Sequence, residues 1–289
     1  MIYSLLIEPF ANNDVMRYTL AACVTLSFGC APLGIFLSHK RMILAGDALS
    51  HSILPGVAIA FVIYGMSLWN MVIGGFIAGT IVVVLASLIS RTTGLKDDNS
   101  IGGLYIISLA IGVIIISLKG SDEEMLHVLF GNIDSVTPDS LHTGATIVSI
   151  SLLLLAIIYR PLIAGCIDPV FARASGMKGG LYHNFFLILV VLNLVASFHL
   201  FGTLTAIGIL ILPGIIANFW NRNIDMLMPI AIGFSIICGI IGVLISYHHH
   251  LPAGPCVVMC LGVLYFISII IGAHNSIRTR YFIRHHLTK

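Results

Sequence analysis

Asp47 and His51 stand four residues apart in the run Gly46-Asp47-Ala48-Leu49-Ser50-His51-Ser52-Ile53-Leu54-Pro55-Gly56. On a helix that spacing puts a carboxylate and an imidazole on one face, about 6 Å apart along the axis, with Ser50 flanking them. Both groups are donors to borderline divalent cations, so the pair has the makings of half a site for an ion such as Zn²⁺ or Mn²⁺. A plainer reading stands beside it: Asp47 caps its helix or pairs with a polar neighbour, and His51 hydrogen-bonds an adjacent helix. Pro55 adds a further feature, because a proline in a helix frees a backbone carbonyl that must find another partner or face water.

The elements that must position this pair are read from composition. The 289 residues are 58% hydrophobic and 9% charged, with mean hydropathy +1.05, whereas soluble domains carry about a quarter charged residues. The charges leave six free runs: Tyr18–His39, Ala48–Ser90, Asn99–Leu118, Ser140–Tyr159, Gly179–Asn221 and Met226–Ile277. A bilayer-spanning helix needs about 20 apolar residues, so the shorter runs fit one span and the longer ones two. A disordered chain, a disulfide scaffold and a nucleic-acid-binding module are excluded. The fold class is all-α, a polytopic integral membrane bundle forming one transmembrane domain over residues 1–289. Nine helices are predicted near 16–37, 43–65, 69–90, 101–118, 140–159, 182–200, 203–220, 226–247 and 254–273. Small residues such as Gly75-x-x-x-Gly79 are expected to let them approach closely.

Basic residues set the orientation. With the N-terminus outside, twelve of the fourteen Lys and Arg fall on cytoplasmic segments, and only Arg17 and Lys119 fall outside. The outer 119–139 loop is acidic instead, with Asp122, Glu123, Glu124, Asp134 and Asp139. An even number of spans would break this alternation, so the prediction is N-out and C-in. Asp47 then lies within the second helix, in its cytoplasmic half. A charge near the membrane centre costs about 2.5–3.5 kcal/mol on insertion scales, which makes such a carboxylate a functional candidate by default.

Other polar groups carry weaker signals. His248, His249 and His250 lie in an outer turn, where they could attract or relay a cation or simply sit at the membrane boundary. His199, near the outer end of the sixth helix, and Asn193 on the same helix could add a polar lining. His285 and His286 belong to the basic tail. The six cysteines include no Cys-x-x-Cys pair and read as small packing residues. The seventh span, with Gly202, Gly208, Pro213 and Gly214, reads as a broken or kinked helix suited to a gate.

Several stretches, in order, resemble one known family. Gly46–Gly56 resembles the signature of the membrane subunit of ATP-binding-cassette importers for zinc, manganese and iron, the ZnuB-like permeases. Ala31-Pro32-Leu33-Gly34 with Lys40-Arg41-Met42 is similar to that family's passage from helix one to helix two. Leu129-Phe130-Gly131-Asn132 with Val136-Thr137-Pro138-Asp139 is similar to its outer loop before helix five. Asp168-Pro169-Val170-Phe171-Ala172-Arg173-Ala174-Ser175-Gly176 matches its cytoplasmic ATPase-contacting segment. Gly202-Thr203-Leu204 through Leu212-Pro213-Gly214, and Pro252-Ala253-Gly254-Pro255, complete the set.

The resemblance implies an inner-membrane, multi-pass permease of a bacterium, working as a homodimer, with the transported metal held at Asp47 and His51. Its Pro-Ala-Gly-Pro segment is closer to zinc members, while the Gly-Asp-Ala-Leu-Ser-His-Ser form is shared with manganese and iron members. It further implies a cytoplasmic ATPase subunit and an extracytoplasmic metal-binding protein that delivers the ion, with no resident cofactor. The chain carries no Gly-x-x-x-x-Gly-Lys-[Ser/Thr], so ATP hydrolysis is expected on a separate subunit. Segment 160–181 suits the docking role. Asp168 can cap a short helix with Pro169 at its first position and Gly176 at its end, leaving Phe171 as apolar anchor and Arg173 as charge partner. The competing reading is an ion-coupled secondary transporter or channel without an ATPase, which repeated charged pairs within the spans would favour; only Asp47 is found there.

Overall fold

The computed structural model describes residues 9–10, 13–65, 67–117, 136–168, 174–177, 179–274 and 276–281. All regular structure among them is helical: α1 Asp14–His39, α2 Ile43–Ser52, α3 Leu54–Tyr64, α4 Leu68–Thr93, α5 Asp97–Ser117, α6 Pro138–Ile167, α7 Gly179–Ala217, α8 Ile224–His249, α9 Ala253–Ile271 and the short α10 Ile277–Tyr281. Counting α2 with α3 as one pass, eight helices among the described residues are long and apolar enough to cross a membrane. Local chemistry sets several ends. Asn13 caps α1 by accepting from the Val15 N–H at 3.1 Å, and Thr137 with Ser140 forms a reciprocal capping box at the start of α6.

One of these eight, α7, holds two passes. At 39 residues it is about 58 Å long if straight, nearly twice the hydrocarbon thickness, but Gly202 at φ 80°, ψ 175° interrupts it. Its contacts with α1 show that the chain turns back there. In residues 179–201, Ser197 meets Cys30 at 3.3 Å and the Phe186 ring meets Phe36 at 6.0 Å, so this half runs antiparallel to α1. In residues 203–217 the order is reversed. Leu210 lies against Gly34, and Asn218, just beyond, donates to Ser38 at 3.0 Å. Nine alternating passes result among the described residues, as the basic-residue count required. Only glycine adopts the φ at this corner readily, and a side chain there would be strained.

One end of the bundle collects Lys40, Arg91, Asp97, Tyr159, His183, Asn218 and Asp225; there the Tyr159 hydroxyl donates to Asp225 at 2.6 Å. Leu68, Gly144, Leu200, Gly202, Thr205 and Gly254 gather at the other. Helices α1 and α7 are the most deeply buried, with 72% and 78% of their most apolar stretches covered. Small polar contacts tie them to their neighbours, Ser27 to Ser235 at 2.8 Å and Asn193 to Ser151 at 2.5 Å. Outward faces carry Ile77, Ile81 and Leu88 on α4, Leu153 and Ile157 on α6, and Met259 and Phe266 on α9, as a bundle solvated by lipid requires.

Several details differ from expectation, among them the fourth pass, which begins at Asp97 instead of 101. The fifth pass continues to Ile167 through Pro161, so residues 160–167 extend a spanning helix and only the stretch beyond Ile167 can form a separate docking element. The sixth begins at Gly179 instead of 182. The seventh is helical through Gly208, Pro213 and Gly214; Gly208 packs on Val258 and Gly214 on Gly34, so these residues make tight contacts and the expected kink is confined to the Gly202 corner. The predicted Gly75/Gly79 stripe does pack closely, against Ile53, Val57, Val191 and Val195.

Candidate metal site

The second pass is broken where its sequence predicted strain. Helix α2 ends at Ser52, Ile53 forms a turn, and α3 restarts with Pro55 in its first turn. Pro55 has no N–H to return to the His51 carbonyl, and the Gly56 N–H bonds to Ile53 at 3.1 Å instead of Ser52. The buried Ser52 carbonyl is rescued from outside the helix, by the Ser108 hydroxyl of α5 at 3.0 Å. On the far side of α3, Gly56 and Gly74 meet backbone to backbone, fixing α3 on α4.

Asp47 and His51 lie on α2, about 6 and 12 Å along the axis from its first residue. His51 Nε2 stands 3.9 Å from Asp47 Oδ1, and the two side chains are 33% and 51% exposed. The Tyr105 ring from α5 rests against His51, centroids 6.3 Å apart. Ser50 is buried, and its hydroxyl donates to the Asp47 carbonyl at 2.7 Å, so it braces the helix beside the pair. Leu44, Ile59 and Ile63, 73%, 45% and 64% exposed, continue the strip that holds Asp47 and His51. Among the described residues of one chain, the pair therefore lies on an outer face of the bundle that no other helix covers, and not in a channel through it.

No group of three His, Cys, Asp or Glu able to hold a metal occurs among the described residues. Among the described residues, one chain thus offers two ligating side chains at this place. The weaker candidates lie elsewhere. His199 is largely buried beside Phe198 and Leu68, at the Gly202 end. His248, His249 and His250 are exposed where α8 ends, with His250 left-handed at φ 52°. Asn193 is fully enclosed inside the bundle against Gly29 and Ser151. None of these is brought to Asp47 and His51.

Asp168 follows directly on α6 in extended conformation, and Gly176 turns the chain at φ 76° shortly before α7. Phe171 and Arg173 lie outside the described residues, as do Asp122, Glu123, Glu124, Asp134, His285 and His286. The sequence alone did not single out Tyr105 and Ser108; their only signal is that Tyr and Ser recur three residues apart in a span, which is common enough to pass unnoticed.

Comparison with known proteins places this architecture. The chain is 32% identical over 280 residues to the chelated iron transport system membrane protein YfeD of Yersinia pestis, covering 97% of this chain and 93% of that one. It is 30% identical over 275 residues to the manganese transport system membrane protein MntC of Halalkalibacterium halodurans, covering 95% and 93%. Its fold superposes on PsaBC from Streptococcus pneumoniae, solved in complex with a Fab, with TM-score 0.85 and 26% identity over 98% of this chain and 99% of that one. The family model described as the ABC 3 transport family matches residues 12–272. With the family model matching residues 12–272 and relatives matched over nearly their whole length, this helical membrane bundle belongs to the ABC 3 transport family and is a membrane permease of that family.

Proposed function

We propose that the chain is the membrane subunit of an ATP-driven importer of a divalent transition metal, working as a homodimer in the inner membrane of a bacterium with its N-terminus outside. The observation that carries this reading is the unpartnered Asp47/His51 face. Two copies apposed along it bring two carboxylates and two imidazoles together, a four-donor set of oxygen and nitrogen suited to Mn²⁺, Fe²⁺ or Zn²⁺. Exposed Leu44, Ile59 and Ile63 frame the pair with apolar surface that a second copy would cover. The relatives named for manganese and iron support those two metals, where the sequence favoured zinc first.

The ion is cargo, so it must be held weakly enough to leave. Ligands divided between two subunits serve this, because a small change in their separation dismantles the set. ATP hydrolysis is assigned to a cytoplasmic partner subunit docking at the segment from Asp168 to Gly176, and delivery of the ion to an extracytoplasmic binding protein. The deciding experiment is ATP-dependent uptake of Mn²⁺, Fe²⁺ and Zn²⁺ by vesicles holding the permease with its co-expressed ATPase. Asp47→Ala and His51→Ala should each abolish uptake while the ATPase stays bound. Normal accumulation of all three metals in both variants, or uptake indifferent to ATP, would defeat the proposal.

A further inference from the structure

Behind the metal pair, at the Lys40 end of the bundle, three charged or polar side chains from three helices meet. Lys40 Nζ lies 3.3 Å from His183 Nδ1, and His183 Nε2 lies 3.3 Å from Asp97 Oδ2. The Lys40 ammonium also sits 5.6 Å from the centre of the Phe186 ring. An ammonium can only donate, so Nδ1 must present its lone pair and the neutral ring carries its proton on Nε2, which stands close to the Asp97 carboxylate without the alignment of a hydrogen bond. Burial lowers the pKa of Lys40, opposed by Cys166 and Asp97. Half-buried between His183 and the Phe186 ring, this lysine is held by those contacts. Beside it, Asn184 donates to Ser87 at 2.9 Å and Arg91 packs on Gly180, seating the start of α7 on the end of α4.

The three residues have distinct attachments. Lys40 ends α1, and the tight turn through Arg41 (φ 57°) leads straight into α2, which carries Asp47 and His51. Asp97 begins α5, whose Tyr105 and Ser108 brace His51 and the Ser52 carbonyl. His183 lies in the first turns of α7, which starts three residues after Gly176. The bridge thus joins both supports of the metal pair to the helix that leaves the proposed docking segment.

We propose that the Lys40–His183–Asp97 bridge is the positioning joint that transmits movement of the ATPase-docking segment to Asp47 and His51. When α7 is displaced at its start, the imidazole carries α1 through its bond to Lys40 and α5 through its close contact with Asp97, so the turn into α2 and the Tyr105 brace move together. The metal pair then changes its separation from the copy opposite. These three residues touch no ion; they act through the helices that hold the ligands. This inference rests on the importer reading above.

The test measures Mn²⁺ uptake and ATP hydrolysis together in liposomes containing the full permease–ATPase complex. His183→Leu should lower metal moved per ATP about tenfold with the ATPase still bound, a coupling loss in the range such joints carry. His183→Gln, which can accept from Lys40 and donate to Asp97, should restore the ratio to within about threefold of the parent. Asp97→Ala, which leaves Asp98 at the helix start, should repeat the loss and serves if His183→Leu fails to accumulate. A parental ratio in His183→Leu or Asp97→Ala overturns the joint. So does loss of bound ATPase in step with uptake in both His183 variants, which would make the bridge a scaffold only. No Mn²⁺ uptake by the unaltered complex would instead defeat the importer reading itself.

Discussion

The hydroxyl of Ser108 donates to the carbonyl oxygen of Ser52 at 3.0 Å, across from α5 to the break in the second pass. This bond satisfies a buried backbone acceptor that the helix cannot serve, one residue beyond His51. Removing it leaves a polar group without a partner in a membrane bundle, where such bonds contribute about 1 kcal/mol. Ser108→Ala should lower the melting temperature of the detergent-solubilised protein by several degrees and reduce uptake. Ser117→Ala, whose hydroxyl bonds within its own helix on an exposed face, should change neither. Equal melting curves for both variants would show the break to be self-sufficient.

Tyr105 tests how the imidazole is held. The two rings meet by packing, tilted 33° to one another, and the operative interaction is that ring contact. Tyr105→Phe should therefore transport normally. Tyr105→Ala should weaken apparent metal affinity by about tenfold, as loss of an outer support around a ligand does. Concentration dependence of uptake separates the two, and an unchanged half-saturation in Tyr105→Ala would dismiss the brace.

The homodimer proposal makes a chemical prediction at Leu44, the most exposed apolar side chain of the strip, one turn before Asp47. Leu44→Cys should be captured as a covalent dimer by a short thiol-reactive linker in native membranes. The native cysteines give the background, with Cys23, Cys30, Cys238 and Cys256 buried. Monomer alone, at every linker length, would place this face against lipid.

Gly56 and Gly74 predict a steric effect with a large magnitude. A Cβ on either would collide with the other's carbonyl group, which is backbone and cannot swing aside. Gly74→Leu should cost about 3 kcal/mol or more, as overpacking at a rigid contact does, and leave little folded protein. Gly262→Leu, where open space receives the side chain, should express normally. Folded yield by size-exclusion profile decides between them.

Gly202 predicts a subtler loss. At φ 80°, ψ 175° an L residue is strained by about 1–3 kcal/mol. Gly202→Ala should fold with reduced thermal stability and keep all nine passes, which accessibility labelling of termini and loops would verify.

Much of this was legible in the residues themselves. Hydropathy located every pass because a helix in lipid must be apolar for about 20 residues, and basic residues supply the expected orientation. The turn at Gly202 was readable because Phe201-Gly202-Thr203 divides a run too long for one crossing. Asp47 and His51 are legible as a candidate because an ionisable pair stands out against an apolar background. Ends were less legible: Pro161 and residues to Ile167 continue α6 although Arg160 had marked a boundary, since a charge at the membrane surface does not stop a helix.

Sequence determined that this chain crosses a membrane repeatedly, in nine passes by its apolar runs and their turns, and carries the carboxylate and imidazole of Asp47 and His51 at the spacing of one helix face. Both follow from periodicity and transfer energy along the chain. Only the tertiary structure decided where that face points, that Ser108 and Tyr105 support it, and that Lys40, His183 and Asp97 meet behind it. Those contacts join residues as far apart as Ser52 with Ser108 and Lys40 with His183, and no local pattern encodes a distance across helices. They are set by how glycine contacts such as Gly56 on Gly74 and Gly34 on Leu210 let the passes settle against one another.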